Sequence, residues 1–292
     1  MNNWITRGPI AVEIDGASPA VLDFAWQEAA RARADLVIVA PYQNFLPTAG
    51  TGALQPSAAA ERSLEAASAQ LRERDAGQVE ITTLAVNGPR LEVLADVAAL
   101  ARLLVVGAPH PRGPHGLVAA QRWLQLASRT GRPLVVVPRR RPLSAAVNSV
   151  AVGIDGTELS LEAVAFAFET AANRNAELLV IHSHHTPYRT RGDAASAELT
   201  VAETLAGWDE EYPNVKVSRL VTARPVVDVL VRESENHGLV VLGAHAGPVP
   251  ANDPVARRSI AEMTCPVAIV PHHVTRTEID RLNRSRLGAA AS

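Results

Sequence analysis

A chain of 292 residues, 47 % hydrophobic and 20 % charged, has the length for about two domains and the apolar content for a real core. Its formal net charge of −2, and the lack of any apolar stretch near the ~20 residues of a membrane span, argue against nucleic acid or a membrane as the main partner. The single cysteine, Cys265, excludes an intrachain disulfide and fits a reducing cytosol; the opening MNNWITRGPIAVEIDG has no basic-then-apolar leader pattern, so the expected location is cytoplasmic.

Apolar runs rich in β-branched residues alternate with amphipathic stretches along the first half of the chain. They predict strands near 9–14, 35–40, 79–86, 102–107 and 133–138, and helices near 18–33, 57–76, 90–100 and 118–130. The strands read as almost wholly apolar, as a parallel sheet covered on both faces requires. PYQNFLPTAGTGALQP (41–56) reads as a loop after the second strand, with 183–194 as its later counterpart, and RRRPLSAAVN (139–148) reads as a linker.

The chain then repeats itself. PIAVEIDG (9–16) returns as SVAVGIDG (149–156), LLVVGA (103–108) as LVVLGA (239–244), and RPLVVVP (132–138) as CPVAIVP (265–271). The landmarks keep their order while the offset shrinks from 140 to 136 to 133 residues, so the second repeat has lost loop residues. The expected domains are 1–141 and 146–273, with a polar tail at 274–292. The expected fold class is α/β: two tandem, doubly wound, five-stranded parallel sheets of Rossmann-like type. Each last strand is an apolar sheet edge, which invites the two repeats to pair as a pseudo-two-fold dimer within one chain.

In an open parallel sheet, ligands bind at the carboxyl ends of the strands. Asp15 and Asp155 end their first strands there. Such a carboxylate can accept from an adenine amino group or a ribose hydroxyl; equally, it can cap the next helix or close an Asx turn with the glycine that follows. The second candidate is the loop after the fourth strand, Gly107 to Gln121 in the first repeat and Gly243 to Arg258 in the second. A phosphate loop needs glycine where the backbone approaches the ligand, and free N–H groups at the helix start.

The first-strand V-x-I-D-G, the late V-V-G loop and the closing C-P-V-x-I-V-P resemble the universal stress protein family in tandem form, over nearly the whole chain. The resemblance implies a nucleotide-binding α-hydrolase-like fold and dimerisation through the last strand in many members. In ATP-binding members it implies G-x2-G-x9-G-[S/T] after the fourth strand, with the first-strand aspartate holding adenine. Neither repeat keeps that pattern. In the first, Gly107 fits, but His110, Ala120 and Gln121 replace two glycines and the hydroxyl, with Gly113 near the turn. In the second, Gly243 fits and His245 matches a histidine of some binders. Ala246 stands for the second glycine with Gly247 beside it, and Asp253-Pro254 occupy the Gly-Ser positions. Only nine residues separate Gly243 from Asp253, where the pattern needs twelve. An N-capping Asp253 takes an N–H that a phosphate would take, and Pro254 has none to offer.

The candidate nucleotide residues are therefore Asp15, Gly107, His110, Gly113 and Gln121 in the first repeat, and Asp155, Gly243, His245 and Gly247 in the second. His182, His184 and His185 lack a carboxylate or cysteine at ligand spacing, and no metal is expected. Cys265 reads as a small buried residue, and Phe24, Trp26, Phe166 and Phe168 as core or interface aromatics. G-x-S-x-G, H-E-x-x-H and G-x-x-x-x-G-K-[S/T] are all missing, so no catalytic residue and no enzyme activity is expected. The expectation is a non-catalytic stress-response regulator with weak or lost adenine-nucleotide binding, an unknown protein partner and room for a homodimer. The alternative is an ATP binder whose nucleotide state controls partner binding.

Overall fold

The computed structural model describes residues 8–14, 19–43, 56–73, 77–108, 114–138, 148–157, 159–184, 194–245 and 253–272. The first half runs β1 (Ile10–Glu13), α1 (Pro19–Ala32), β2 (Leu36–Tyr42), α2 (Pro56–Arg72), β3 (Ile81–Asn87), α3 (Arg90–Leu100), β4 (Leu103–Gly107), α4 (Pro114–Thr130) and β5 (Leu134–Val137). The second runs β6 (Val150–Ile154), α5 (Leu159–Arg174), β7 (Leu178–Ser183), α6 (Ala194–Thr204), α7 (Trp208–Glu211), β8 (Val217–Thr222), α8 (Val226–Glu233), β9 (Leu239–His245), α9 (Pro254–Glu262) and β10 (Val267–His272).

The strands form one ten-stranded sheet in the order β3-β2-β1-β4-β5-β10-β9-β6-β7-β8. Neighbours are parallel within each half, and β5 and β10 meet antiparallel at the centre, with Val136 opposite Val267 and Val135 opposite Ala268. The apolar last strands thus cover each other, as their composition predicts. Alternation along the strands sends Ile10, Val12 and Val135 to one core, with Phe24, Phe166 and Phe168, and Ala11 and Val136 to the other, with Trp123 and Cys265. Both cores run through the seam. The thiol of Cys265 is buried and donates to the Pro266 carbonyl (3.3 Å).

The duplication is legible in backbone detail. After α1, Arg33 adopts a left-handed φ of 48° and the Ala34 N–H bonds back to the Ala29 carbonyl (3.0 Å); after α5, Asn175 does so at 51° and Ala176 bonds to Ala171 (2.9 Å). Both are the six-to-one bond of a Schellman cap. Ion pairs tie the halves together on the α1/α5 side: Glu28 to Arg174 (2.9 Å), which lies over the Phe24 ring, and Arg102 to Glu169 (2.9 Å). Burial pushes the Glu169 carboxyl above its ordinary value although Arg102 pulls it down.

Four expectations need correction. Helix α4 begins at Pro114, a turn before the expected 118, because proline at the first helical position is pre-set for the helix and lacks only an N–H that would be unpaired anyway. Strand β2 continues through Pro41 and Tyr42, the start of the expected 41–56 loop, whose remainder at 44–55 lies outside the described residues. The strands are not all apolar and covered: β3 is largely exposed, and β1 ends on a buried Glu13. Helix α7 was not expected; Trp208 and Tyr212 at its two ends pack on Phe168, with ring centroids 5.1 and 5.6 Å away. No helix among the described residues is long and apolar enough to cross a membrane.

Candidate functional site

Asp155 follows the last residue of β6. Its Oδ1 accepts from the Thr157 N–H (2.9 Å), the Thr157 hydroxyl (2.6 Å) and the Ser160 hydroxyl (2.7 Å), while Ser160 Oγ accepts from the Asp155 N–H (3.0 Å). This is an Asx turn that starts α5, the structural alternative raised by the sequence. Burial raises the Asp155 pKa, but the hydrogen bonds from Thr157 and Ser160 outweigh it and hold the carboxyl below its ordinary 3.8. Gly156 has φ of +79°, and a Cβ there would sit 2.3 Å from Thr200 Cγ2, so α6 presses directly on the turn. One carboxylate oxygen carries all three bonds, and Oδ2 accepts nothing among the described residues. His182, beside it on β7, is buried with Nδ1 3.1 Å from the Ile154 carbonyl, a structural contact.

Strand β9 brings Gly243 and His245 to the same edge, where they pair with Val270 and His272 of β10. Gly247 lies outside the described residues. Helix α9 then starts as the sequence predicts: Asp253 Oδ1 accepts from the N–H groups of Val255 (2.9 Å) and Ala256 (3.0 Å), and Pro254 takes the first helical position. The three N–H groups that would face a phosphate are two capped and one missing.

In the first half, Asp15, His110 and Gly113 lie outside the described residues. Gly107 ends β4 with ordinary space for a Cβ, 3.6 Å from Val21. Gln121, expected at the helix start, lies two turns inside α4, where its N–H is committed to the Leu117 carbonyl. Ala120 beside it is fully buried. The segment that would form the far side of a cradle is helix here.

Sequence reasoning missed the most polar feature of this edge. Glu13 projects from the end of β1 towards the α3/α4 side with only 2 % of its side chain exposed, and Arg90 at the start of α3 grips it through Nε (2.5 Å) and Nη2 (2.8 Å). The guanidinium lies 5.2 Å from the ring centroid of Trp123 on α4, in cation–π reach. At the matching positions the second half has Gly153, Val226 and Ala256. A Cβ on Gly153 would come 2.9 Å from Leu242 Cδ2, so leucines occupy the space that the ion pair takes in the first half.

Residues 147–271 match the model of the universal stress protein family, and the first half repeats the same topology in mirror order about the seam. Over residues 147–271 the chain belongs to the universal stress protein family. The universal stress protein Rv2005c of Mycobacterium tuberculosis is 32 % identical over 172 residues, 52 % of this chain and 55 % of that protein. Universal stress protein Rv2623 of the same organism is 38 % identical over 102 residues, 32 % of this chain and 34 % of that one. The chain thus spans about half the length, or less, of these curated relatives. Among solved structures, a universal stress protein of Archaeoglobus fulgidus superposes with a TM-score of 0.62 at 12 % identity, covering 92 % of this chain and 98 % of that one. A Pseudomonas aeruginosa protein of unknown function gives 0.60 at 15 %, covering 97 % and 98 %. At such identities the structural likeness carries the fold alone.

The α9 cap is testable by itself. Asp253→Ala leaves two N–H groups without their acceptor and is expected to cost about 0.5–2 kcal/mol, whereas Asp253→Ser keeps an acceptor and costs far less. Urea denaturation of the two variants beside the parent protein measures the difference.

Proposed function

We propose that this protein is a non-catalytic, cytoplasmic universal stress protein with weak or lost adenine-nucleotide binding, acting in the stress response through a protein partner. The observation that carries this reading is the start of α9: a carboxylate caps the N–H groups, and a proline replaces the residue, that a phosphate would need. An aspartate there also repels an anion at the positive end of the helix. In the first half, the helical placement of Ala120 and Gln121 works the same way by a different route. Glycine at buried Ala120 would loosen a helix rather than bend a loop.

A second reading rests on Asp155, whose Oδ2 is left for a ligand amino or hydroxyl group. In it the candidate residues of either half hold ATP loosely, and nucleotide state controls partner binding. Mass spectrometry of small molecules released from the natively purified full chain, with calorimetry in millimolar ATP, tests the proposal. The expected result is no stoichiometric adenine nucleotide and no saturable heat. Stoichiometric release of ATP or another adenine nucleotide overturns it in favour of the second reading.

A further inference from the structure

The seam buries β5 and β10 against each other, so the sheet ends on two outer edges, β3 and β8. Exposed charges guard sheet edges, and β8 carries one, Arg219, at its middle. Strand β3, ITTLAVN, has no charge or proline and is exposed along most of its length. The Glu80 carbonyl accepts from the Leu36 N–H (2.8 Å) and the Gly88 N–H donates to the Tyr42 carbonyl (2.9 Å), so the even-numbered residues between them turn their backbone groups to β2. Ile81, Thr83 and Ala85 turn theirs outward, where nothing among the described residues bonds to them. Asn87 already has a partner and stands outside the open stretch. Leu84, a large apolar side chain 40 % exposed, lies within it.

We infer that this stretch is a docking site on which an extended segment of a partner protein, basic on one face and apolar on the other, adds an eleventh strand antiparallel to β3. The docking site rests on the partner-dependent role proposed above and supplies the chemistry of that partner. Ile81, Thr83 and Ala85 can each exchange both backbone hydrogen bonds with alternate residues of the incoming segment, so main-chain pairing holds it without demanding a sequence. The two faces of the sheet then select its side chains. Ile81 packs against the core on the α2 side and Val86 against the core on the α3 side. Odd-numbered side chains of β3 therefore share the α2 face, and Leu84 lies on the other.

The α2 face carries the charge. Helix α2 flanks β3 across an open trough of about 530 Å³, walled by Glu61, Glu65, Ser68 and Arg72 on the helix and by Thr83 and Ala85 on the strand. Because α2 returns the chain from the end of β2 to the start of a parallel β3, it runs against β3. Glu61 and Glu65, one turn apart, thus lie toward the Ala85 end and Arg72 toward Ile81. None of the three is paired with an opposite charge among the described residues. Ser68 is 4 % exposed, and its Oγ has no hydrogen-bond partner among the described residues. Lysine or arginine side chains entering the trough meet two carboxylates and bring the N–H donors that Ser68 Oγ lacks. On the other face, an apolar residue beside Leu84 covers it. A second copy of β3 would bring only isoleucine, threonine and alanine to the two glutamates, so the charge favours a basic partner over the chain itself.

The probe is a fluorescein-labelled, end-blocked peptide centred on Lys-Leu-Lys-Val-Glu, titrated with the full chain. Antiparallel pairing sets its lysines opposite Ala85 and Thr83, beside the glutamates, its leucine opposite Leu84, and its glutamate opposite Ile81, toward Arg72. A saturable rise in anisotropy is expected, with slowed hydrogen exchange at the N–H groups of Ile81, Thr83 and Ala85. Two variants test the contacts: Glu61→Lys combined with Glu65→Lys, both at exposed positions, and Thr83→Pro, which removes an outward N–H. Each is expected to raise the dissociation constant about tenfold or more with the circular dichroism unchanged. The charge-reversed peptide Glu-Leu-Glu-Val-Lys is expected to bind the double-lysine variant better than the parent chain. The docking site is overturned by a flat titration up to millimolar peptide, by equal binding of both peptides to the parent chain, by an affinity indifferent to both changes, or by protection that falls on β8 instead. Protection of the three N–H groups that grows with protein concentration in the absence of peptide gives the edge to a second copy and also overturns it. Nucleotide is read separately, by mass spectrometry of the same preparation. Bound adenine nucleotide beside an intact peptide titration overturns only the nucleotide-poor reading of the function, whereas a flat titration of nucleotide-free protein overturns only the docking site.

Discussion

Val136→Asp is expected to cost the protein about 4 kcal/mol or more, a large share of the 5–15 kcal/mol by which domains are usually stable. Val136 lies in the middle of the ten-stranded sheet, 1 % exposed, opposite Val267 and within the apolar core on the α4/α9 side. An aspartate there has no water and no partner, so it must stay ionised at a heavy desolvation cost or bind a proton and give up its charge. Ala268→Asp makes the same demand on the opposite face, where Ala268 lies across from Val135. Because both cores cross the seam, either charge should loosen the halves from each other before it unfolds them singly. Limited proteolysis within 139–148 reports that loosening, and urea denaturation reports the total. Unchanged protection of 139–148 in both variants would mean that the β5–β10 contact contributes little to holding the halves together.

The parts of the molecule that sequence reasoning found are those whose physics is local or repeated. Asp253-Pro254 announces a helix start because cap and first turn lie within three residues, and the hydrogen bonds to Val255 and Ala256 follow. The pairing of β5 with β10 was legible because an apolar edge repeated twice in one chain has an obvious partner. The start of α4 was not legible, because Gly113, Pro114 and Gly116 signal a loop taken alone; the packing of α4 against α3 and α9 outweighs the roughly 1 kcal/mol that a helical glycine costs. Glu13 carries no local signal of its role, since its partner lies 77 residues away. A signal was nevertheless present in the duplication. Three positions change character together between the repeats, from Glu13, Arg90 and Trp123 to Gly153, Val226 and Ala256, and such joint change marks a physical contact. The exposure of β3 escaped notice because an edge strand and a central strand differ in neighbours rather than in residue type.

That three-residue contact gives the other large expected effect, and it takes the form of a recovery. Arg90→Met leaves the Glu13 carboxylate, 2 % exposed, without the guanidinium that compensates it, and the expected cost is about 3–5 kcal/mol. Glu13→Leu leaves an Arg90 that is 45 % exposed and can turn its charge to water, so it should cost clearly less. Combined, the two substitutions replace an ion pair buried on the Glu13 side by apolar side chains of similar volume, and replacing a buried pair in this way is often neutral or stabilising. The double variant should therefore be more stable than Arg90→Met alone, with a coupling of about 1–3 kcal/mol. Trp123→Ala removes the ring on which the guanidinium rests and opens a cavity in the α4 core, so a loss of about 3–5 kcal/mol is expected whether or not the ion pair is present. Urea midpoints of the four proteins of the cycle decide the matter. If the double variant is as unstable as the sum of the single ones, Glu13 and Arg90 do not act as a unit, and the first half tolerates a buried glutamate for some other reason than its arginine.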